Sequence, residues 1–292
     1  MFRNILVGVD GEEGGRDAIA LARTLFAEGG ELTFGYVLRD APHGPRGWAD
    51  PSVPAERGRA AEMLERTRTE TGMAAYIRWH AASSVGRGLH ELAETIEADL
   101  IVVGSTRRGL YGRARLTDDT RAALNGAPCA IAVAPAGYGS ELPPPMREIG
   151  VGYDGSPESE HALGVARVLA DETGARLSAF EAVSLPAHFV ALERDRVNDI
   201  VSQARERLGT IGDVEPHAAY GDPVQELTIY SASLDLLVIG SRGYGPLGRL
   251  LYGATAQHLA RSARCPLLVL TRGSRTSPLP RVLARSAGAA TR

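Results

Sequence analysis

The residues of this chain best suited to chemistry are glycines. In "LDLLVIGSRGYGPLGRLLYGATAQH", residues 234–258, an apolar run ends at Gly240 and glycines recur at Gly243, Gly245, Gly248 and Gly253. Glycine lets backbone approach a ligand closely, and a helix start offers unpaired N–H groups and a partial positive charge. A strand end followed by this stretch therefore suits a phosphate. Gly243 to Gly248 spells G-x-G-x-x-G, but a dinucleotide loop fails on three counts. The motif follows a late strand, and Pro246 removes a donor from it. No Asp or Glu follows Asp235, so the acid expected about 20 residues on is missing. A Walker A loop fails for want of Gly-Lys-Ser/Thr. The spacing that remains is Gly240-x-x-Gly243, nine residues, then Gly253, with a helix expected to start near Ala254.

Other reactive side chains form no recognisable constellation. The 7 histidines show no metal-ligand spacing, and Cys129 and Cys265 read as buried thiols of a reducing cytoplasm. Ser105 and Ser241 follow strand ends with no base identifiable in sequence, and no nucleophile elbow occurs. Asp10 and Asp154 can cap the first helix of each repeat and touch a ligand there as well. A net charge of -3 and 5% aromatic residues give no footprint for nucleic acid. No apolar run approaches a membrane span of about 20 residues. "MFRNILVGVDG" is broken too early by glycine and aspartate to read as a signal peptide.

The elements that must position these residues are written twice. "NILVGVDGEEGGRDAIALARTLFAEGGELTFGYV" from Asn4 returns as "EIGVGYDGSPESEHALGVARVLADETGARLSAFEAV" from Glu148. "ADLIVVGSTRRGLYGRARLTDDTRAALNGAPCAIAVAP" from Ala98 returns as "LDLLVIGSRGYGPLGRLLYGATAQHLARSARCPLLVLT" from Leu234. Asp10 matches Asp154, Gly104 matches Gly240 and Cys129 matches Cys265. The boundaries are a first domain over 1–137, a Pro-rich linker over 138–146, a second domain over 147–272 and a disordered tail over 273–292. Strands are expected at Ile5–Val9, Glu31–Val37, Leu100–Val103 and Ala130–Ala134. The second set is Ile149–Tyr153, Arg176–Val183, Leu236–Ile239 and Pro266–Leu270. Ser156-Pro157 reads as an N-cap with proline in the first turn, and Gly174 as the matching stop. "RDAPHGPRGWADPSVP" reads as a long loop, and Phe189 to Leu208 as a helix. The fold class is α/β, with two tandem doubly wound domains, each built on a mainly five-stranded parallel sheet.

With these motifs in hand, the sequence resembles the universal stress protein family in its tandem two-domain, actinobacterial form. The resemblance is carried by "ILVGVDG", "IGVGYDGS", Gly240-x-x-Gly243 with Gly253, "YGDP" at Tyr220–Pro223, and "CPLLVL". It implies an adenine nucleotide alpha hydrolase-like fold that binds ATP or another adenine nucleotide, with magnesium as a candidate companion ion. On that resemblance Asp154 contacts the ribose and main-chain groups near Val183 edge the adenine. Gly240, Arg242 and Gly243 line the ribose and phosphates, and Gly253 opens the helix that receives the phosphate tail. Ala254 stands where the family has Ser or Thr, with a hydroxyl one position on at Thr255. Losing a hydroxyl bond to a charged phosphate costs about 1.5–3 kcal/mol unless Thr255 substitutes. The first copy, with Asp10, Val37 and Gly104, departs further: Arg107 replaces a glycine, and Thr117 and Asp118 replace the final pair. A carboxylate about 5 Å from a phosphate charge costs about 3 kcal/mol at an effective dielectric of 20. The second copy is therefore the favoured site.

Three functions follow from different weights on these features. The favoured one is a regulatory, stress-response nucleotide binder without efficient turnover. A second is a slow ATP hydrolase or adenylyl-transferring enzyme, which needs metal-holding acids that the second glycine cluster lacks. A third is an interaction scaffold of the same fold that no longer binds nucleotide. The resemblance further implies an internal pseudo-dimer through the last strands, association of two chains, and a regulatory protein partner.

Overall fold

The four strands at the centre of the sheet, Leu100–Gly104, Ala130–Ala134, Leu236–Gly240 and Leu267–Leu270, are short apolar runs, because both of their faces are buried and leave no side for polar residues. The computed structural model describes residues 1–39, 53–105, 123–143, 145–184, 194–241 and 254–271. The first repeat runs β1 (Phe2–Gly8), α1 (Glu13–Leu25), β2 (Phe26–Arg39), α2 (Val53–Thr71), β3 (Tyr76–Ala82), α3 (Val85–Thr95), β4 (Leu100–Gly104) and β5 (Ala130–Ala134). The second runs β6 (Glu148–Gly152), α4 (Pro157–Thr173), β7 (Arg176–Val183), α5 (Arg194–Gly209), β8 (Glu215–Tyr220), α6 (Pro223–Tyr230), β9 (Leu236–Gly240), α7 (Ala254–Ser262) and β10 (Leu267–Leu270).

The strands form one 10-stranded sheet in the order β3-β2-β1-β4-β5-β10-β9-β6-β7-β8. Within each repeat all pairings are parallel. The repeats meet antiparallel at their last strands, with Leu268 opposite Ala132 and Val269 opposite Ile131, so the expected internal pseudo-dimer is a continuous sheet. Successive strand residues point to opposite faces. Ile5, Val7, Ala132, Leu268 and Val238 belong to one core; Leu6, Ile131, Val269 and Ile239 belong to the other. Each core crosses the join, which makes the two repeats one packing unit.

Local signals place the elements much as the sequence suggests. Ser156 caps α4 by accepting the Ser159 N–H, proline sits in the first turn, and Gly174 ends the helix in the left-handed region. Asp222 of "YGDP" caps α6 by accepting the N–H groups of Val224 and Gln225. Asp99 accepts the N–H groups of Arg3 and Asn4 at 2.8 and 3.0 Å, and Asp235 does the same for Arg147 and Glu148 at 2.8 and 2.9 Å. Each aspartate thereby ties the turn before the fourth strand to the start of the first.

The structure adds details to this reading. The second strand of the first repeat begins at Phe26 rather than Glu31, because the chain leaves α1 directly in extended backbone and Phe26 pairs with Phe2. The start of the linker is anchored to the first repeat: buried Asp17 of α1 accepts Gly137 N–H at 2.8 Å and Gly139 N–H at 2.7 Å. Of the expected loop over 39–54, Arg39 ends β2 and residues 53–54 begin α2; the remainder lies outside the described residues. So do the tail over 273–292 and residues 189–193 of the helix expected from Phe189, which is observed from Arg194.

Candidate functional site

Both repeats open a cavity at the carboxyl ends of their strands, where an open α/β sheet ordinarily takes ligands. In the second repeat it measures about 260 Å³, and Asp154, Ser156, Phe180, Gly240, Ser241 and Thr255 are among its lining residues. In the first it measures about 680 Å³, with Asp10, Val37 and Gly104 in its wall. Asp154, Gly240 and Thr255, far apart in sequence, thus meet at one cavity, as do Asp10, Val37 and Gly104. Arg242, Gly243, Gly253, Arg107, Thr117 and Asp118 lie outside the described residues. Ala254 is the first residue of α7.

The two aspartates are held by the turns that follow them. Asp10 Oδ1 accepts the N–H groups of Glu12 at 2.8 Å and Gly15 at 3.1 Å. Asp154 Oδ1 accepts from Ser156, through its N–H at 3.0 Å and its hydroxyl at 2.5 Å. A left-handed glycine follows each, Gly11 at φ 77 and Gly155 at φ 74, and turns the chain into the helix. Asp10 thus reaches an N–H of the first turn of α1 at Gly15, whereas in the second copy Ser156 is the cap and Asp154 holds the turn before it; both aspartates line their cavities.

The strand-end glycines have a packing reason of their own. A Cβ on Gly240 would overlap the Glu158 carbonyl oxygen and lie 2.6 Å from its carbon; one on Gly104 would lie 2.6 Å from the Gly14 carbonyl carbon and overlap its oxygen. Each glycine lets the first helix of its repeat cross the end of the fourth strand. Gly104 and Gly240 line their cavities, and the crossing helix by itself already requires that they carry no side chain.

The segment around Val183 reaches the second cavity through the residues on either side of it. Gly8 pairs with Gly35, and the matching Gly152 pairs with Phe180, so the second repeat is offset by one residue along this strand. That register makes Ala182 the counterpart of Val37. Ala182 and Ser184 line the cavity, while the Val183 carbonyl accepts the Gly221 N–H at 3.1 Å. A one-residue gap between otherwise similar repeats was the only signal for this, and it shows only when both strands are paired with their neighbours.

The same offset exchanges large and small side chains. Where the first repeat has Leu6 beside Gly35, the second has Gly150, with Tyr230 and Leu234 nearest to it, and Phe180 at the counterpart of Gly35. A Cβ on Gly35 would meet Leu6 Cδ1 at 2.8 Å, and one on Gly150 would meet the Tyr230 hydroxyl at 2.6 Å. Phe180 stacks on Tyr230 with centroids 4.7 Å apart and lines the cavity. The Tyr230 hydroxyl bonds Ser178, and burial pushes the phenol far above its ordinary range. Sequence reasoning missed Phe180, since an aromatic within a strand reads first as core.

Ser105 and Ser241 sit just past the fourth strands, 2% and 1% exposed, and each Oγ lacks a hydrogen-bond partner among the described residues. Ser241 lines the second cavity, so a buried hydroxyl is available where a ligand would sit. No base reaches either serine among the described residues, and no group of three or more His, Cys, Asp or Glu there converges as a metal site. The two cysteines are buried and free, and burial pushes both thiols up to about 12.

Comparison with known proteins agrees with this architecture. A model described as the universal stress protein family matches residues 1–135 and 146–271. Universal stress protein Rv2005c of Mycobacterium tuberculosis is 31% identical over 183 residues, 59% of this chain, and the match spans 62% of that relative's length. Universal stress protein YxiE of Bacillus subtilis is 28% identical over 141 residues, 41% of this chain and 95% of its own. A crystal structure of a universal stress protein from Archaeoglobus fulgidus superposes with a TM-score of 0.65 at 16% identity, covering 92% of this chain and 98% of that one. A universal stress protein in complex with cAMP matches 44% of this chain at 27% identity and a TM-score of 0.33.

Proposed function

The chain belongs to the universal stress protein family, and from that premise we propose that it binds an adenine nucleotide, mainly in its second domain, in a regulatory stress-response role. The observation that carries this reading is the meeting of Asp154, Gly240, Ser241 and Thr255 around one cavity. The start of α7 would receive the phosphates on its free N–H groups and the Thr255 hydroxyl, which stands in for the hydroxyl missing at Ala254. Asp154 would take the ribose hydroxyls, and the unpartnered Ser241 hydroxyl would take a polar atom of the ligand. Ala182 and Ser184, rather than Val183, would edge the base. Arg242, Gly243 and Gly253 complete the cradle in this proposal through their motif spacing. The ligand is ATP or a relative, accompanied by magnesium held largely by its own phosphates. The protein acts in the cytoplasm, and two chains associating with a regulatory partner would read out occupancy.

The test is calorimetric titration of ATP, ADP and cyclic AMP into the protein and into Gly243→Val. Saturable binding to wild type, weakened at least tenfold in the variant, is expected. Absence of binding to wild type would sink the reading. A second reading is an interaction scaffold without nucleotide. Its support is the small second cavity, about 260 Å³, below the roughly 300 Å³ at which small-molecule pockets usually begin.

A further inference from the structure

The sheet edge at β3 is open to another strand, and we propose that it pairs with β3 of a second copy of this chain, antiparallel and centred on Trp79. This gives the association of two chains a surface and does not rest on nucleotide binding.

The strand order leaves two edges, β3 and β8, because β5 and β10 are already joined to each other. An edge strand carries a row of unpaired N–H and C=O groups, and native edges are closed to other chains by proline, charge or a bulge. β8 is closed in this way: Glu215 opens it and Pro216 follows, and a proline in an edge strand turns its donorless side outward. β3 reads YIRWHAA, without proline, and its register with β2 is unbroken from Tyr76 to Ala82, so no bulge turns it aside. Of the five exposed large hydrophobic residues among the described residues, two stand on β3, Tyr76 at 56% and Trp79 at 39%.

The strand is also complementary to itself. Alternation puts Ile77 and Trp79 on one face, and Tyr76, Arg78 and His80 on the other. On the first face α2, which walls the first cavity through Ala60 and Met63, holds Arg57 over the Trp79 ring at 4.8 Å. On the second, His80 Nε2 bonds Glu91 of α3 at 2.6 Å, and Glu91 also accepts Arg87 Nε at 2.7 Å. A two-fold axis at Trp79 pairs all seven residues and sets the two Trp79 rings side by side, an arrangement that stabilises antiparallel pairs. It sets Arg78 opposite the partner's His80 and so beside the partner's Glu91. Among the described residues Arg78 bonds only the Ile77 carbonyl, at 3.4 Å, which leaves its charge available to that glutamate. Symmetry makes the contact twice. The two repeats already meet in the same manner, antiparallel strand on strand, at β5 and β10. One strand edge buries less than a permanent dimer needs, so the association is weak and concentration-dependent.

The experiment is sedimentation equilibrium of the full chain without added nucleotide, over a wide concentration range. A reversible monomer–dimer equilibrium is expected. Arg78→Glu, which sets a carboxylate against the partner's Glu91, should weaken it about tenfold, since like charges on facing strands repel, with circular dichroism unchanged. Combining Arg78→Glu with Glu91→Arg should recover most of that loss. Trp79→Cys should cross-link under mild oxidation, because facing Cα atoms of an antiparallel pair lie about 4.5–5.5 Å apart, within reach of a disulfide. Tyr76→Cys should not, because its two copies would stand six residues apart along the strands, about 20 Å. Cys129 and Cys265 are buried and do not compete. The proposal is overturned by a monomer at every concentration, by a dimer that Arg78→Glu leaves unchanged, or by cross-linking of Tyr76→Cys in preference to Trp79→Cys. Since no nucleotide is present, failure here is distinct from failure of the nucleotide titration.

Discussion

Gly240 and Glu158 are pressed together so closely that Gly240 has no room for a side chain, because the Glu158 carbonyl of α4 occupies that space. The contact fastens the helix carrying Ser156 and Ser159 to the strand end that borders the second cavity. Gly240→Ala must therefore move backbone, at a cost of about 1–3 kcal/mol. In a chain of this size that lowers the thermal midpoint by several degrees, with about 2–4 °C expected per kcal/mol. Nucleotide affinity should fall with it, because α4 and its cap shift. Gly243→Val should lower affinity with the midpoint unchanged. Equal midpoints for Gly240→Ala and wild type in calorimetry would show that α4 yields without cost.

That contact also marks where sequence reading stops. The alternation of strands and helices was legible because buried parallel strands are written as unbroken apolar runs and helix ends as Ser156-Pro157 and Gly174. The pairing of last strands followed from the resemblance of the repeats to a known tandem form. Gly240 stands out in sequence by its place in the glycine spacing, and the structure adds a second reason that no spacing encodes: the helix crossing at Glu158 leaves no room for a side chain. The register of β7 leaves only a one-residue gap between the repeats as its trace in sequence. Nothing in "SAFEAV" says that Phe180, and not Ala179, pairs with Gly152. The recruitment of α2 to the first cavity depends likewise on tertiary placement that no local pattern encodes.

Phe180 stacks on Tyr230, whose ring and hydroxyl occupy the space beside Gly150, the counterpart of Leu6. Phe180→Ala should destabilise the protein by about 3–5 kcal/mol, the range for loss of a buried aromatic. It should also widen the second cavity toward the size of the first. If narrowness limits the ligand, nucleotide binding by the folded variant should strengthen or broaden in specificity. Chemical denaturation reads the first effect and titration below the transition reads the second. A loss under 1 kcal/mol would mean that Phe180 is not a core residue in solution.

The cysteines give a pH dependence with a definite sign. Burial raises both thiols to about 12, against about 8.5 for a free cysteine. A raised folded-state pKa contributes stability that is fully present below the unfolded value and is lost as pH rises toward the folded one. Stability should fall between about pH 8.5 and pH 12 by about 1.4 kcal/mol per thiol per pH unit. The double variant Cys129→Ala and Cys265→Ala should show a shallower decline across that window. Thiol reagents should modify neither residue in the native protein at pH 8 and both after unfolding. Rapid native labelling would contradict the buried, protonated state.

Asp17 ties the linker to α1, and the second repeat has His161 at the matching position and so lacks the carboxylate. The carboxylate is 3% exposed and takes both the Gly137 and the Gly139 N–H groups. Asp17→Ala leaves those two donors without an acceptor, at about 1–3 kcal/mol each when burial is kept. The segment can escape part of that cost by lifting into water, which exposes the backbone around Ser140 and Leu142. The variant should therefore lose less stability than the sum, and should gain a cleavage site between Gly137 and Pro143 under limited proteolysis. Fragments of about half the mass would identify it, and the two halves should stay associated through β5 and β10 until denatured. A cleavage rate equal to that of the wild type would show that the linker is held by its other contacts and that Asp17 serves only the packing of α1.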